Sequence, residues 1–291
     1  MILKYLKQSF LIILFIFFIC YNSNANSNAI VATIKPLHSL VQGVLGDTEK
    51  AGLIINNNSP HNPNLKPSKI KLISNAKIIF GIDETLEPFL KTINPNKKIL
   101  MLQSSMINKL NCRNNCHKSN NTDVHIWLST TNAQSMVKII YSTLAIINPH
   151  REKIYDENTK KILKKIEDLD NKINSQLQAI KNKPFLVFHD AYQYFEKQYN
   201  LSSLGFIHQN PNTSLSIQHI KQIRKTINNN DKICIFSEPQ FSKKITVLLS
   251  ESTKNTKIGV LDPIGANLIP GENLYFDLLE DVSNNLLRCL L

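Results

Sequence analysis

The spacing of apolar and polar residues divides the chain into three zones. Over residues 30–148, short β-branched runs alternate with helix-like segments. Residues 30–34, 51–55, 77–82 and 97–102 read as strands. Pro36 opens a helix through Leu45 that stops at Gly46, and Ser68 caps a further short one. Residues 125–128 form a short apolar piece. The second zone, residues 149–181, reads as one helix. Asn148 caps it, and Pro149 fits its first turn, where no backbone donor is needed. Apolar residues recur at Ile154, Ile162, Ile166, Leu169, Ile173, Leu177 and Ile180, mostly three or four apart. At 1.5 Å per residue the run spans roughly 50 Å, suited to a rod joining two lobes. A narrow stripe also suits a coiled coil between chains, but sustained heptads are missing, so a monomer is expected.

After Pro184 the alternation resumes. Residues 185–188, 233–236 and 257–261 read as strands, and 190–199 as a helix with Asp190 and Gln193 placed like a capping box. Ile217, Ile220, Ile223 and Ile227 mark another helix, and residues 274–287 the last. The pattern predicts an α/β fold with two lobes, 30–148 and 182–291. Each holds a mostly parallel sheet, and the long rigid helix of residues 149–181 joins them.

The beginning of the chain sets where it works. Lys4 and Lys7 precede an unbroken apolar run over residues 10–20, and small residues follow at Ser23/Ala25 and Ser27/Ala29. That order reads as a cleavable secretory signal, residues 1–25, with cleavage as late as residue 29. A membrane span needs roughly 20 apolar residues, more than this run offers. Cys20 raises the question of a lipid anchor, but Ile19 is bulky where lipoprotein processing needs a small residue. A periplasmic, secreted protein is expected.

Charge changes the picture little. The net charge of +12 comes from 34 Lys and Arg against 22 Asp and Glu. The basic residues are mostly lysines spread along helix-like stretches, with no basic block interleaved with aromatics, so no nucleic-acid surface is read. Beyond Cys20 stand Cys112, Cys116, Cys234 and Cys289. In an oxidising compartment four cysteines suggest bridges, in one of three pairings. Joining near with near leaves Cys234–Cys289, a loop of about 55 residues worth about 4 kcal/mol in the chain-entropy model.

Chemistry gathers at strand ends, where ligands bind in open α/β sheets. His189 follows the strand at 185–188, and Asp262 follows the strand at 257–261. His61 lies in a loop stiffened by Pro60, Pro63 and Pro67, and His125 lies beside the only Trp. No compact metal motif joins them, so spacing alone leaves each histidine an ordinary partly buried residue or a ligand.

Six segments resemble one family. They are Ile34-Lys-Pro-Leu-His-Ser-Leu, Ser59-Pro-His, Asp123-Val-His-Ile-Trp-Leu, Val187-Phe-His-Asp-Ala-Tyr-Gln-Tyr-Phe-Glu, Phe236-Ser-Glu-Pro-Gln-Phe and Leu261-Asp-Pro-Ile-Gly-Ala. Together, and in order, they resemble the ZnuA-like zinc-binding proteins of ABC transporters, within the cluster of substrate-binding proteins that bind metal ions. The resemblance implies that the protein captures Zn²⁺ as cargo and delivers it to a membrane permease, without being an enzyme. It implies a metal site in the cleft between the lobes, with His61, His125 and His189 as ligands. In manganese-type relatives the position of His189 carries a carboxylate. Three imidazoles suit Zn²⁺, whereas Mn²⁺ prefers oxygen-rich sites.

The fourth corner stays open between Asp262 and a water. Some relatives place a Glu before the first histidine, but here Pro60 stands there and cannot ligate. Asp123, Asp190 and Glu238 are candidates for orienting the imidazoles, with Asp190 also read as a helix cap. The Cys234–Cys289 pairing matches a bridge of some zinc-type members. Relatives often carry a His-rich insertion where residues 104–122 lie; here only Cys112, Cys116 and His117 offer ligands, and a disulfide or idle thiols are expected before a second zinc site. His38, His150, His208 and His219 are read as surface or structural, with His219 facing away from Ile217 and Ile220. The rival readings are the same role for Mn²⁺, or a secreted zinc hydrolase with three histidine ligands.

Overall fold

Inner strands rich in Ile, Val and Phe and buried on both faces form the centre of two parallel sheets, as expected where helices cover each side. The fold is that of a computed structural model, which describes residues 29–113, 121–211, 214–230, 232–251 and 256–291. The leader at 1–25, Cys116 and His117 lie outside the described residues.

The first lobe runs β1 (Ile30–Ile34), α1 (Lys35–Leu45), β2 (Gly52–Ile55), α2 (Pro67–Asn75), β3 (Ile78–Gly81), β4 (Lys98–Leu100) and α3 (Thr130–Ile147). Its sheet has the order β2-β1-β3-β4, all parallel. Helix α1 is buried almost all round, with Pro36 in its first turn. It ends at Gly46 with φ +63°, a backbone that favours glycine. Helix α3 was absent from the sequence pattern above. Its Ala133, Met136, Val137, Ile140 and Leu144 are nonetheless spaced three or four apart and buried, and Ser129 caps it by accepting from the Asn132 amide.

The long helix is real but composite. A 3₁₀ turn at Pro149–Arg151 leads into α4 (Glu152–Leu177), and a second turn closes it at Gln178–Ile180. Ile162, Ile166, Leu169, Ile173, Leu177 and Ile180 are buried, whereas Ile154 is exposed and its neighbour Tyr155 is buried instead. This stripe is consumed within the chain, against α1, α3 and the final helix. Each such Ile or Leu contributes roughly 2 kcal/mol by burial.

The second lobe runs β5 (Phe185–His189), α5 (Gln193–Gln198), β6 (Ser203–His208), α6 (Ile217–Asn228), β7 (Ile233–Ser237), α7 (Lys244–Ser250), β8 (Thr256–Val260) and α8 (Leu274–Leu290). The order β6-β5-β7-β8 repeats the topology of the first sheet. Strand β6 and helix α7 are additions to the sequence reading; β6 is a half-exposed edge strand and carries only a weak apolar signal. Helix α8 packs back onto α1 of the opposite lobe and onto the linking helix α4. One hydrophobic core therefore runs through both lobes, with a smaller cluster around Leu186, Ile207 and Ile235. Cys234 and Cys289 are bridged, tying β7 to α8.

Candidate metal centre

Each histidine is aimed by a different local device. His189 is the last residue of β5, and Glu238 immediately follows β7 (Ile233–Ser237). These strands are neighbours at the point where the strand order reverses, the crevice in which open α/β sheets bind ligands. There Nδ1 of His189 donates to Oε1 of Glu238 at 2.6 Å. In the first lobe, Asp123 Oδ1 accepts from both the backbone N–H (3.0 Å) and Nδ1 (2.8 Å) of His125. The turn that follows buries Trp127 completely. His61 comes from the proline-flanked loop after β2, half-buried, whereas His125 and His189 are 5% and 3% exposed.

The three Nε2 atoms converge. His61 and His125 approach at 3.2 Å, and His125 and His189 at 3.4 Å. The ligand atoms of all three lie within 4.8 Å of one another. Because a carboxylate accepts from Nδ1 of His125 and of His189, each ring keeps its hydrogen there and points an Nε2 lone pair inward. Lone pairs facing at this distance repel one another unless a cation stands between them. A tetrahedral ion with bonds of 2.0–2.1 Å requires ligand atoms about 3.3–3.4 Å apart. The donor set and its spacing fit Zn²⁺.

Asp262 is placed differently from a ligand. Its Oδ1 accepts from Gln240 Nε2 (2.8 Å) and from the amides of Ile264 (3.1 Å) and Gly265 (3.0 Å). Its Oδ2 accepts from the Ala266 amide at 2.6 Å. Both oxygens are thus engaged in their own loop, and Asp262 is not among the converging atoms. The recess beside the imidazoles is lined by Ser59, Pro60, Trp127, Gln240, Phe241 and Pro263.

With this geometry in place, the comparisons with known proteins decide the family. The family model described as zinc-uptake complex component A, periplasmic, matches residues 30–289. The chain belongs to the ZnuA family. It is 31% identical to the high-affinity zinc uptake system protein ZnuA of Brucella abortus, across 99% of both chains. It is also 31% identical to the ZnuA of Haemophilus ducreyi, over 90% of this chain and 93% of that one. A zinc-bound deletion mutant of ZnuA superposes with a TM-score of 0.76 at 25% identity, covering 90% of this chain and 97% of that chain.

Within this ZnuA-family site, Asp190 neither holds an imidazole nor caps a helix. Helix α5 starts at Gln193 without a side-chain cap. The Asp190 carboxylate instead meets the guanidinium of Arg113, which also reaches Glu196. Burial pushes both carboxyls upward, and the nearby Arg113 opposes that shift. Arg113 was missed in the sequence; its only signal was an arginine in a lysine-rich chain. Lys35 was missed too. It is 2% exposed, and its Nζ donates to the carbonyls of Gly265 (2.9 Å), Ala266 (2.8 Å) and Leu268 (2.9 Å). A lysine inside an unbroken apolar strand–helix junction was the clue.

The other described histidines lie outside the cluster. His38 is buried and its Nε2 contacts the Ala51 carbonyl at 3.1 Å, while His150 is exposed. His208 packs on the Phe188 ring. His219 corrects its expected orientation. It turns inward to the Ile207 carbonyl at 2.9 Å, while Ile217 is 76% exposed. Cys112 is disulfide-bonded.

Proposed function

We propose that the protein captures Zn²⁺ outside the cytoplasm through Nε2 of His61, His125 and His189, with water at the fourth corner, and delivers the ion to an ABC permease. The observation that carries this reading is the convergence of three imidazole nitrogens, two of them with Nδ1 fixed by buried carboxylates. Water is assigned to the fourth corner because the Asp262 oxygens are already engaged. The role is binding rather than catalysis, and the permease partner and periplasmic location follow from membership of a periplasmic zinc-uptake family. Among the described residues no helix is long and apolar enough to cross a membrane. Mn²⁺ is disfavoured because the donor set is all imidazole.

Metal binding requires deprotonated imidazoles, so affinity falls as the histidines gain protons. Zinc titration should give clearly weaker binding at about pH 5.5 than at about pH 7.5. Equal affinity at both would remove the three-imidazole site. In a competition titration Zn²⁺ should displace Mn²⁺, and the reverse order would transfer the role to manganese.

A further inference from the structure

The two edges of the joint between the lobes are fastened by different chemistry. At one edge Lys35 donates to three carbonyls of the loop after β8, and Trp127 Nε1 donates to the Pro263 carbonyl at 2.7 Å. Ser39 Oγ donates to the Glu272 carbonyl (2.8 Å) and accepts from the Tyr275 amide (3.0 Å). Lys35, Ser39, Trp127 and Tyr275 are all buried, in or beside the shared core. Parting the lobes here would break these bonds and also open the apolar core that buries them to water.

At the other edge the fastening is a short strap from the first lobe. The Leu110 amide donates to Tyr194 Oη at 3.0 Å. Gln193 Nε2 donates to the Asn111 carbonyl and Gln209 Nε2 to the Arg113 carbonyl, each at 2.9 Å. Arg113 Nη1 donates to Glu196 Oε2 at 2.9 Å, and Nε donates to Asp190 Oδ1 at 2.9 Å, an oxygen that Nη2 also reaches. The guanidinium carbon stands 5.6 Å from the Phe206 ring centre. Both carboxylates are buried, but the Arg113 side chain is 29% exposed.

This strap touches both halves of the metal shell. Asp190 directly follows His189, and Tyr194 Oη donates to the carbonyl of Asp123, whose carboxylate holds His125. A site with ligands from two lobes loses its ion when the lobes part. Parting is easier where partly exposed polar contacts break than where apolar core must be opened as well.

We propose that Arg113 is an interlobe latch that sets the rate of metal release, with the Lys35 edge serving as the fixed hinge. The proposal rests on the zinc-capture reading above. Arg113 is a positioning residue: it touches no ligand atom, and it keeps the His189 lobe against the lobe that carries His61 and His125. Weakening the latch raises the population of the parted state and shortens the lifetime of the bound ion, while the coordination itself is unchanged.

The test is a chelator chase of the zinc-loaded mature protein, with association followed in the same preparations. Arg113→Gln should release zinc about tenfold faster, within the usual range of coupling between linked sites, with association changed far less. The visible spectrum of the Co²⁺-substituted protein should be unchanged, because the ligands remain. Arg113→Lys should fall between, since a lysine keeps the charge but not the fork that spans two carboxylates. Glu196→Gln, at the far arm of the fork, should give a smaller acceleration. A folded Arg113→Gln protein with parental release overturns the latch. Should that variant not fold, parental release in Arg113→Lys overturns it equally. An altered Co²⁺ spectrum would move Arg113 into the coordination shell and also overturn it. A parent protein that takes up no zinc would overturn the capture reading itself, a result distinct from unchanged release.

Discussion

The two sheets share one strand order, yet the crevice at the reversal point is used differently in each. In the second lobe, the residues after β5 and β7 bond to each other: His189 donates to Glu238, and the imidazole presents its free nitrogen to the cleft. In the first lobe, Lys35 follows β1 and Glu87 lies beyond β3, and they are held by different partners. Lys35 crosses to the opposite lobe, and Glu87 accepts from the Ile82 amide at 2.7 Å. The same topological address therefore supplies a proposed zinc ligand in one lobe and a joint in the other. What decides is the partner available to a buried polar group, which must be satisfied wherever it points.

Removing the ligand breaks the comparison at its strongest point. His189→Ala should weaken zinc binding at least about a thousandfold, more than the loss of an outer partner costs. Isothermal titration reads this directly, and a loss under tenfold would leave the second-lobe crevice without a ligand role. On the other side, Lys35→Met strands three carbonyls and should lower unfolding free energy by about 3–5 kcal/mol. Chemical denaturation in the presence of a chelator measures it without the metal's contribution. A loss below about 1 kcal/mol would mean the Lys35 joint is incidental.

Glu87 offers a third test. Its carboxyl is wholly buried, and burial raises it from an ordinary 4.5 to about 7. Between those values the folded chain holds a proton that the unfolded chain has released. Stability therefore falls as pH rises through that window and levels off above it, by about 3 kcal/mol in all. Glu87→Gln should flatten that part of the profile; an unaltered slope would refute the assignment. The smallest effect is expected from Glu238→Gln, which keeps the shape of the His189 partner but removes its charge. Zinc affinity should drop about tenfold with the fold unchanged. Parental affinity would show that orientation, rather than charge, is what Glu238 contributes.

Much of the fold was legible because strands buried on both faces read as continuous Ile- and Val-rich runs. The exceptions are instructive. Strand β6 (Ser203–His208) is an edge strand, half-exposed, so its apolar signal is diluted. Helix α5 begins three residues late because Asp190, placed like a cap, finds Arg113 instead. His219 turns inward to a carbonyl while Ile217 is left exposed, contrary to hydrophobic periodicity. In the last two cases a single polar contact outweighs a local preference worth about 1 kcal/mol or less.

Local periodicity marked out the two α/β halves and the long helix between them, while the three imidazoles were pointed to by the chain's resemblance to a metal-binding family. Helices and strands depend on local periodicity, which travels with the chain. The partners of Asp262, Asp190, Arg113 and Lys35 appear only in the tertiary structure. Asp262 looked like a ligand from its position after a strand, yet its oxygens are taken by the amides of its own loop. Lys35 stood out in an apolar junction, but its carbonyl partners lie some 230 residues away and could not be read from the sequence. A buried charge takes whichever partner the fold brings within hydrogen-bond reach, and that choice exists only once both lobes are in place.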